Sequence, residues 1–261
     1  MKTKIFESIL DIEQKHGVKI VYACESGSRA WGFPSQDSDY DVRFIYVRPV
    51  ADYLSVFEQR DVIEEPINDL LDVNGWDLKK ALQLMYKSNP ALLEWLESPI
   101  VYVEAFSVAN QLRELSRKYF SGIASFHHYF SMARGNYRKY LQGEEVKIKK
   151  YFYVLRPIFA CLWILQHGTM PPMLFEELMD GVLEDTGLSE DIQHLLERKM
   201  AGDEMDLEPP ITSIKQFIDF QLNRFTGIAD ELKPVRNKSA NDLELLFRNS
   251  LNEVWDHHEL I

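Results

Sequence analysis

The chain has 261 residues and a formal net charge of −12, with 46% hydrophobic and 27% charged residues. This is the composition of an ordinary globular protein with one large core or two modest ones. The negative charge argues against indiscriminate binding to nucleic acid, which needs a broad basic surface. No run of apolar residues is long enough to span a membrane, and residues 1–7 lack the apolar stretch of a signal peptide, so we expect a cytoplasmic protein.

The first part of the chain alternates between helical and strand-like patterns. Apolar residues recur at helical spacing in residues 3–15, and the apolar run 18–23 predicts the first strand. Further helices are predicted at 28–33, 50–59, 78–86 and 90–97, and further strands at 42–47, 60–66, 70–77 and 100–103. In the helix 50–59, we expect Tyr53, Leu54 and Phe57 on the inner side. Together these segments predict an α+β domain over residues 1–105.

From residue 107 onward, apolar residues recur at spacings of three and four, which indicates helices. The predicted helices are 107–119, 122–142, 147–167, 173–182, 188–199, 211–232 and 239–256, with an exposed loop at 200–210. Strand-like runs largely stop near residue 105, where we place the boundary. Residues 106–261 are therefore predicted to form a second, all-helical domain.

Two carboxylates stand where the second strand begins. Residues two apart on a strand point to the same face, so Asp39 and Asp41 are expected side by side. Their repulsion is relieved when a cation lies between them. Oxygen ligands that leave positions open for water and phosphate suit Mg²⁺ or Mn²⁺. The pair therefore predicts a divalent-metal site.

A small-residue turn, Gly27-Ser28, separates the first strand from this pair. Glycine lets the backbone approach a ligand closely, and N–H groups at such a turn bind phosphate oxygens. The turn and the acid pair together predict a site for a metal-bound nucleotide. Arg43 follows Asp41 by two residues on the same strand face, where it orients the acid pair, binds a phosphate or forms only a salt bridge.

Gly27-Ser28, ten further residues and Asp39-Tyr40-Asp41-Val42 resemble the signature of the DNA polymerase β nucleotidyltransferase superfamily. The fuller wording Gly-Ser-Arg-Ala-Trp-Gly, with Ser-Asp-Tyr-Asp-Val-Arg-Phe-Ile-Tyr, is similar to a bacterial and phage branch of predicted nucleotidyltransferases, some linked to RNA repair. The similarity continues through Gly75-Trp76-Asp77, Ser88-Asn89-Pro90 and Glu94-Trp95-Leu96. The resemblance implies a polymerase-β-like mixed sheet with helices, followed by a helical domain that covers the nucleotide cleft.

The same resemblance implies a third carboxylate on a later strand of the sheet. Two residues qualify, Asp72 within the strand 70–77 and Asp77 where the helix 78–86 begins. Aspartate is also a favoured helix N-cap, which gives Asp77 a structural alternative. The sequence leaves both candidates open, so the implied catalytic and metal-binding set is Asp39, Asp41 and one of these two.

The window 134–156 reverses the acidic balance of the chain and interleaves cations with aromatic residues. Such a patch can hold a triphosphate or the backbone of a nucleic-acid acceptor, and the alternative is a solvated helix end. Lys150 and Arg156 resemble positions where a Lys and an Arg recur in the helical half of this family. They are therefore the candidate phosphate ligands there.

These features predict an enzyme that moves a nucleoside monophosphate from a nucleoside triphosphate to a hydroxyl acceptor, with RNA as the expected acceptor. A protein side chain or a small metabolite is an alternative acceptor. Two other classes stay open: a non-catalytic nucleotide or RNA sensor, and an interaction partner in a toxin–antitoxin or repair assembly. The sequence makes no prediction of the base preference or of the oligomeric state.

Overall fold

The computed structural model describes residues 1–66, 70–202, 207–233 and 239–255. The chain divides into two compact units, each assembled from separated stretches. The first unit comprises Met1–Gly27, Asp39–Tyr119 and Asn237–Ile261, and the second comprises Ser28–Ser38 and Phe120–Arg236. The sequence analysis placed one boundary near residue 105. In the structure, both units instead consist of stretches that alternate along the chain.

A mixed five-stranded sheet forms the centre of the first unit, in the order β3-β4-β2-β1-β5. The strands are β1 (Lys19–Ser26), β2 (Tyr40–Val47), β3 (Val62–Glu64), β4 (Leu71–Asp77) and β5 (Val101–Glu104). β2 and β4 run parallel, and the other neighbouring pairs run antiparallel. β1 and most of β2 are buried, as expected of apolar strands that are covered on both faces. The predicted α+β class with a mixed sheet is confirmed.

The helices among the described residues are α1 (Lys2–His16), α2 (Gly27–Ala30), α3 (Val50–Tyr53), α4 (Leu78–Tyr86), α5 (Pro90–Leu96), α6 (Val108–Tyr119), α7 (Gly122–Tyr140), α8 (Ile148–His167), α9 (Phe175–Asp180), α10 (Thr186–Ala201), α11 (Thr212–Glu231) and α12 (Asn241–Val254). Two further short strands, β6 (Val146–Lys147) and β7 (Leu207–Glu208), pair antiparallel in the second unit. β7 lies in the predicted loop 200–210. No helix in the described part of the chain is long and apolar enough to cross a bilayer.

The helices of the first unit begin and end where the local chemistry favours it. α1 buries Ile5, Ile9 and Ile12 along one face and ends at Gly17, whose φ of 62° is readily adopted only by glycine. α5 begins at Pro90, directly after an asparagine cap that accepts a hydrogen bond from the backbone of the third helical residue. The bounds of α1 and α5 thus follow from their local sequence.

The predicted helix 50–59 is wrong beyond its first turn. α3 ends at Tyr53, and the side chains of Leu54 and Phe57 are 75% and 81% exposed instead of inward-facing. Tyr53 packs edge-on against Phe247 of α12, with 5.0 Å between ring centroids. The apolar spacing predicted a longer helix, but only its first turn reaches an apolar partner.

In the second unit, α8 is the central helix. Its residues 154–162 are all buried, and α7, α9, α10 and α11 contact it. The resulting core is rich in aromatic rings, among them Phe126, Phe159 and Phe225. Gly168 ends α8 in the left-handed conformation, directly after the last residue of the predicted helix 147–167.

Candidate active site

Two carboxylates meet at one end of the parallel strand pair. Asp41 on β2 is directly opposite Asp72 on β4, because the two strands pair in parallel with these residues in register. Both carboxylates are partly exposed. Asp39 lies one residue before β2 and is exposed. The sheet therefore brings Asp72 to the predicted acid pair.

Arg43 connects these carboxylates. Its Nη2 donates to Asp41 Oδ1 at 3.0 Å and to Asp72 Oδ2 at 2.7 Å. Its Nη1 donates to the carbonyl oxygens of Asp72 and Val42 at 3.0 and 3.1 Å. One guanidinium thus offsets the repulsion between Asp41 and Asp72, whereas the sequence analysis expected a cation between Asp39 and Asp41.

The pKa of Asp41 depends on burial and on the charged side chains around it. Burial raises the pKa of Asp41, the charge of Arg43 lowers it, and the charges of Asp72 and Asp39 raise it. Asp41 therefore interacts electrostatically with both Asp39 and Asp72. In the described residues, no group of three or more His, Cys, Asp or Glu side chains is already arranged to hold a metal ion. The donor set has the hard oxygen chemistry of Mg²⁺, and Arg43 now pairs with two of its members.

Gly27 lies against the Asp41 carboxylate, and its lack of a side chain leaves room for that group. Its φ is +61°, and a Cβ added there would collide with Asp41 Oδ2. No other residue type fits this position without moving the carboxylate. The neighbouring Ser28 is partly buried, and its carbonyl oxygen accepts a hydrogen bond from Phe33 N at 3.1 Å. The predicted phosphate turn is thus in direct contact with the predicted acid pair through its glycine.

A buried glutamate supports the strand that carries Asp41. Glu25 on β1 is fully buried; its Oε1 accepts from Asp41 N at 2.7 Å, and its Oε2 accepts from the Tyr102 hydroxyl. Its own carbonyl oxygen accepts from Ser98 Oγ at 2.6 Å. The sequence analysis did not single this residue out. An acid two residues after the apolar run 18–23 was the available signal.

Asp77 lies at the opposite end of β4. It is in register with Tyr46, five residues along the strand pair from Asp41 and Asp72, which corresponds to roughly 17 Å. Asp77 is 3% exposed, caps α4 by accepting from Lys79 N at 2.8 Å, and accepts from the Tyr53 hydroxyl at 3.0 and 3.1 Å. Burial raises the pKa of Asp77, while these hydrogen bonds oppose the rise. The structure does not bring Asp77 to the acid pair.

The segment between Gly27 and Asp39 belongs to the second unit. Phe33 is buried in the aromatic core of that unit, with its ring centroid 5.0 Å from Phe152 and 5.3 Å from Phe175. The spacer of the signature is therefore held by the helical half of the chain. The resemblance gave the length of this spacer but not the residues that anchor it.

Two basic residues outside the predicted set hold the end of this spacer. Arg29 Nη2 donates to Ser38 O at 2.7 Å, and Lys199 Nζ lies 3.2 Å from Ser38 Oγ. Arg29 is part of the matched motif wording, which was a usable signal. Lys199 lies 161 residues beyond Ser38 and had none.

Lys150 and Arg156, the predicted phosphate ligands of the helical half, have different surroundings on α8. Lys150 is partly exposed, with its Nζ 4.2 and 4.6 Å from the ring centroids of Tyr140 and Tyr153. Burial lowers the pKa of Lys150, Tyr140 raises it, and neighbouring lysines lower it further. Arg156 is 3% exposed and stacks over Trp31 at 4.6 Å. Six residues turn a helix by about 240°, so the two side chains leave α8 on different faces.

Comparisons with known proteins bear on the whole chain. The model of a family described as the RNA repair pathway DNA polymerase beta family (RlaP) matches residues 1–249. "Uncharacterized protein YcgL" of Bacillus subtilis (strain 168) is 56% identical over 255 residues, which cover 98% of each chain. A nucleotidyltransferase-like protein from Exiguobacterium sibiricum 255-15, solved at 1.90 Å, is 12% identical, with 95% of this chain and 76% of that chain covered and a TM-score of 0.31. This last likeness is too low to carry an argument.

Proposed function

Since the chain belongs to the RNA repair pathway DNA polymerase beta family, we propose that it is a metal-dependent nucleotidyltransferase that moves a nucleoside monophosphate from a nucleoside triphosphate to a hydroxyl of RNA. The observation that carries this proposal is the pairing of Asp41 with Asp72 on parallel strands, with Gly27 against the Asp41 carboxylate. Two partly exposed acids in register do not stabilise a sheet, because their charges repel each other. Their presence favours a role in binding a cation.

In this proposal Asp39, Asp41 and Asp72 are the catalytic and metal-binding residues. Asp77 is left out because its carboxylate oxygens already cap α4 and accept from Tyr53. The chemistry that a bound Mg²⁺ or Mn²⁺ supplies is neutralisation of the triphosphate and a lower pKa for the attacking hydroxyl. Arg43 binds one oxygen of each carboxylate, Asp41 Oδ1 and Asp72 Oδ2, so the second oxygen of each would be the one to hold a metal ion.

The chain's own residues then have separate tasks. Glu25 and Arg43 fix the direction of Asp41, the former through the backbone N–H and the latter through the carboxylate. Gly27 and Ser28 present backbone N–H groups to phosphate oxygens. Charge builds up on the phosphoryl oxygens and on the departing pyrophosphate during transfer, and the guanidinium of Arg43, beside the acid pair, would be a cation for that charge.

Phosphate binding in the helical half rests on Lys150 and Arg156. The accessible Lys150, beside Tyr140 and Tyr153, has the basic and aromatic character that favours RNA, since bases stack on aromatic rings and phosphates pair with lysine. Arg156 is buried over Trp31, so it would bind a phosphate only after becoming accessible. We therefore expect Lys150→Met to weaken RNA or triphosphate binding more than Lys139→Met, a matched change at an exposed lysine that lies over the same Tyr140 ring.

The experiment that tests the proposal is label transfer from each α-labelled nucleoside triphosphate, with Mg²⁺ or Mn²⁺, to total RNA, DNA or protein extract. We expect label in RNA with the wild type and none with the Asp39→Asn/Asp41→Asn double variant. Label in protein alone would replace RNA by a protein acceptor. Tight triphosphate binding without transfer to any acceptor would instead identify a nucleotide sensor.

A further inference from the structure

Ser38, the residue directly before Asp39, is held at each of its polar groups. Its N–H donates to Ser35 O at 3.3 Å, and its Oγ accepts from Ser35 N at 2.9 Å. The two serine hydroxyls lie 2.9 Å apart. Its carbonyl oxygen accepts from Arg29 Nη2 at 2.7 Å. These hydrogen bonds of Ser35, Ser38 and Arg29 restrain the backbone at Ser38, and we call them the clamp. The next residue, Asp39, is a predicted metal ligand.

Lys199 joins this clamp from α10. It is 3% exposed, and its Nζ donates to Phe33 O at 2.8 Å and reaches Ser38 Oγ at 3.2 Å. Its ammonium also lies 5.3 Å from the centroid of the Phe33 ring. Lysine is rarely buried to this degree, because removing an ammonium from water is costly. A methionine would fill similar space without that cost, so packing alone does not explain a lysine here.

The position of Asp39 depends on what precedes it. β2 begins at Tyr40, whose N–H donates to Leu70 O at 2.7 Å, so the chain is fixed from that residue onward. Asp39 itself is exposed and lies outside the strand. Its backbone is therefore set on one side by the strand and on the other by Ser38.

We propose that Lys199 is a positioning residue for Asp39. By holding Phe33 O and Ser38 Oγ, it fixes the chain immediately before that carboxylate in the conformation that binds metal. The inference rests on the proposed function for its catalytic consequence. Its structural part, the restraint on the backbone at residues 38 and 39, is measurable without activity.

The test uses three variants of the full chain: Lys199→Met, which keeps the side-chain length and removes the donors, Ser38→Ala, which removes the hydroxyl, and the double variant. Ile192→Val is the matched control, because Ile192 is fully buried on the same helix and lies outside the clamp. The measurements are kcat, the Mg²⁺ concentration for half-maximal rate, the melting temperature, and hydrogen exchange at the Asp39 amide.

We expect Lys199→Met to lower kcat about tenfold or more, since small misplacement of a catalytic group is costly, and to raise the Mg²⁺ requirement. Exchange at the Asp39 amide should rise in the same variant. Ser38→Ala should act in the same direction, and the loss in the double variant should be smaller than the sum of the two single losses, because both changes remove the bond between Lys199 Nζ and Ser38 Oγ. Ile192→Val should lower only the melting temperature.

A Lys199→Met protein with the kcat, Mg²⁺ requirement and Asp39 exchange of Ile192→Val would overturn the inference and leave Lys199 a packing residue. If the wild type transfers no nucleotide, the proposed function fails, and hydrogen exchange alone decides the positioning role. Faster exchange at Asp39 in Lys199→Met then supports the restraint, and unchanged exchange contradicts it.

Discussion

The two ends of β4 carry the same residue type in opposite situations. At one end, Asp72 is partly exposed beside Asp41, and its carboxylate is paired with the guanidinium of Arg43. At the other end, Asp77 is buried; its oxygens accept from a backbone N–H and a tyrosine hydroxyl, and Arg48 Nε lies 3.5 Å from its Oδ2. A partly exposed carboxylate whose partners are side chains alone can exchange them for a ligand. A carboxylate that completes a helix terminus cannot do so without loosening the helix.

The largest effect expected from this comparison is on catalysis. We expect Asp72→Asn to lower nucleotide transfer by about a thousandfold, which corresponds to roughly 4 kcal/mol of transition-state stabilisation. Asp77→Asn should leave transfer within about twofold, because asparagine is an equally good helix cap. Steady-state label transfer by the two purified variants measures the difference.

Circular dichroism and melting temperature serve as the controls for folding in both variants. If Asp77→Asn lost transfer while Asp72→Asn retained it, the third carboxylate would be the helix cap, and the site proposed at the other end of the strand pair would be wrong.

A second effect concerns the space that Gly27 leaves for Asp41. Gly27→Ala should cost about 1 to 2 kcal/mol for a non-glycine residue in the left-handed region, and it should also turn the Asp41 side chain away. Gly17→Ala is the matched control, because Gly17 has a φ of +62° and nothing within 4 Å of an added Cβ. We expect similar losses of unfolding free energy in the two variants.

Transfer separates these two glycine variants. Displacement of Asp41 should lower the rate by about a hundredfold in Gly27→Ala, while Gly17→Ala should retain the wild-type rate. Equal rates in the two variants would mean that the Asp41 carboxylate tolerates the displacement, and the glycine would then serve only the turn.

A third effect is on stability at the other end of the strand. Asp77→Ala removes the cap of α4 and the acceptor for Tyr53, so we expect a loss of about 1 to 2 kcal/mol in the free energy of unfolding. Asp77→Asn should lose less, because its amide oxygen can still accept from Lys79 N. Urea unfolding of the two variants measures this difference, and equal losses would show that the charge of Asp77, not its cap, is what stabilises the protein.

The smallest effect is a pH dependence at Asp77. Its pKa is raised in the folded protein above the ordinary 3.8, so the folded state binds this proton more readily than the unfolded state. The contribution of Asp77 to stability should therefore fall as the pH rises from 3.8 through the raised value. We expect the stability of the wild type relative to Asp77→Asn to decline over that window, as measured by urea unfolding. A relative stability that increases with pH would contradict the raised pKa.

Much of this arrangement was predictable because it is local. Helix α4 begins at Leu78 and ends at Tyr86, as the apolar spacing predicted, and the cap at Asp77 is the structural alternative that its residue type suggested. The helix predicted beyond Tyr53 was wrong because apolar spacing alone does not supply a surface to pack against.

The choice between Asp72 and Asp77 was not predictable, because it depends on register between strands that are distant in sequence. Both acids are compatible with the strand pattern, and only the parallel pairing of β2 with β4 shows which one is opposite Asp41. The same applies to Lys199, whose partners are separated from it by most of the chain.

The interleaving of the two units determines how the chain can be divided. A fragment ending at residue 105 would lose α6 and also α12, which contacts α4. It would also leave Phe33 without its aromatic neighbours, so the spacer of the signature would have no core to enter. Gene truncations, fusions and exchanges between relatives should therefore keep the signature and the helical half of the same protein together.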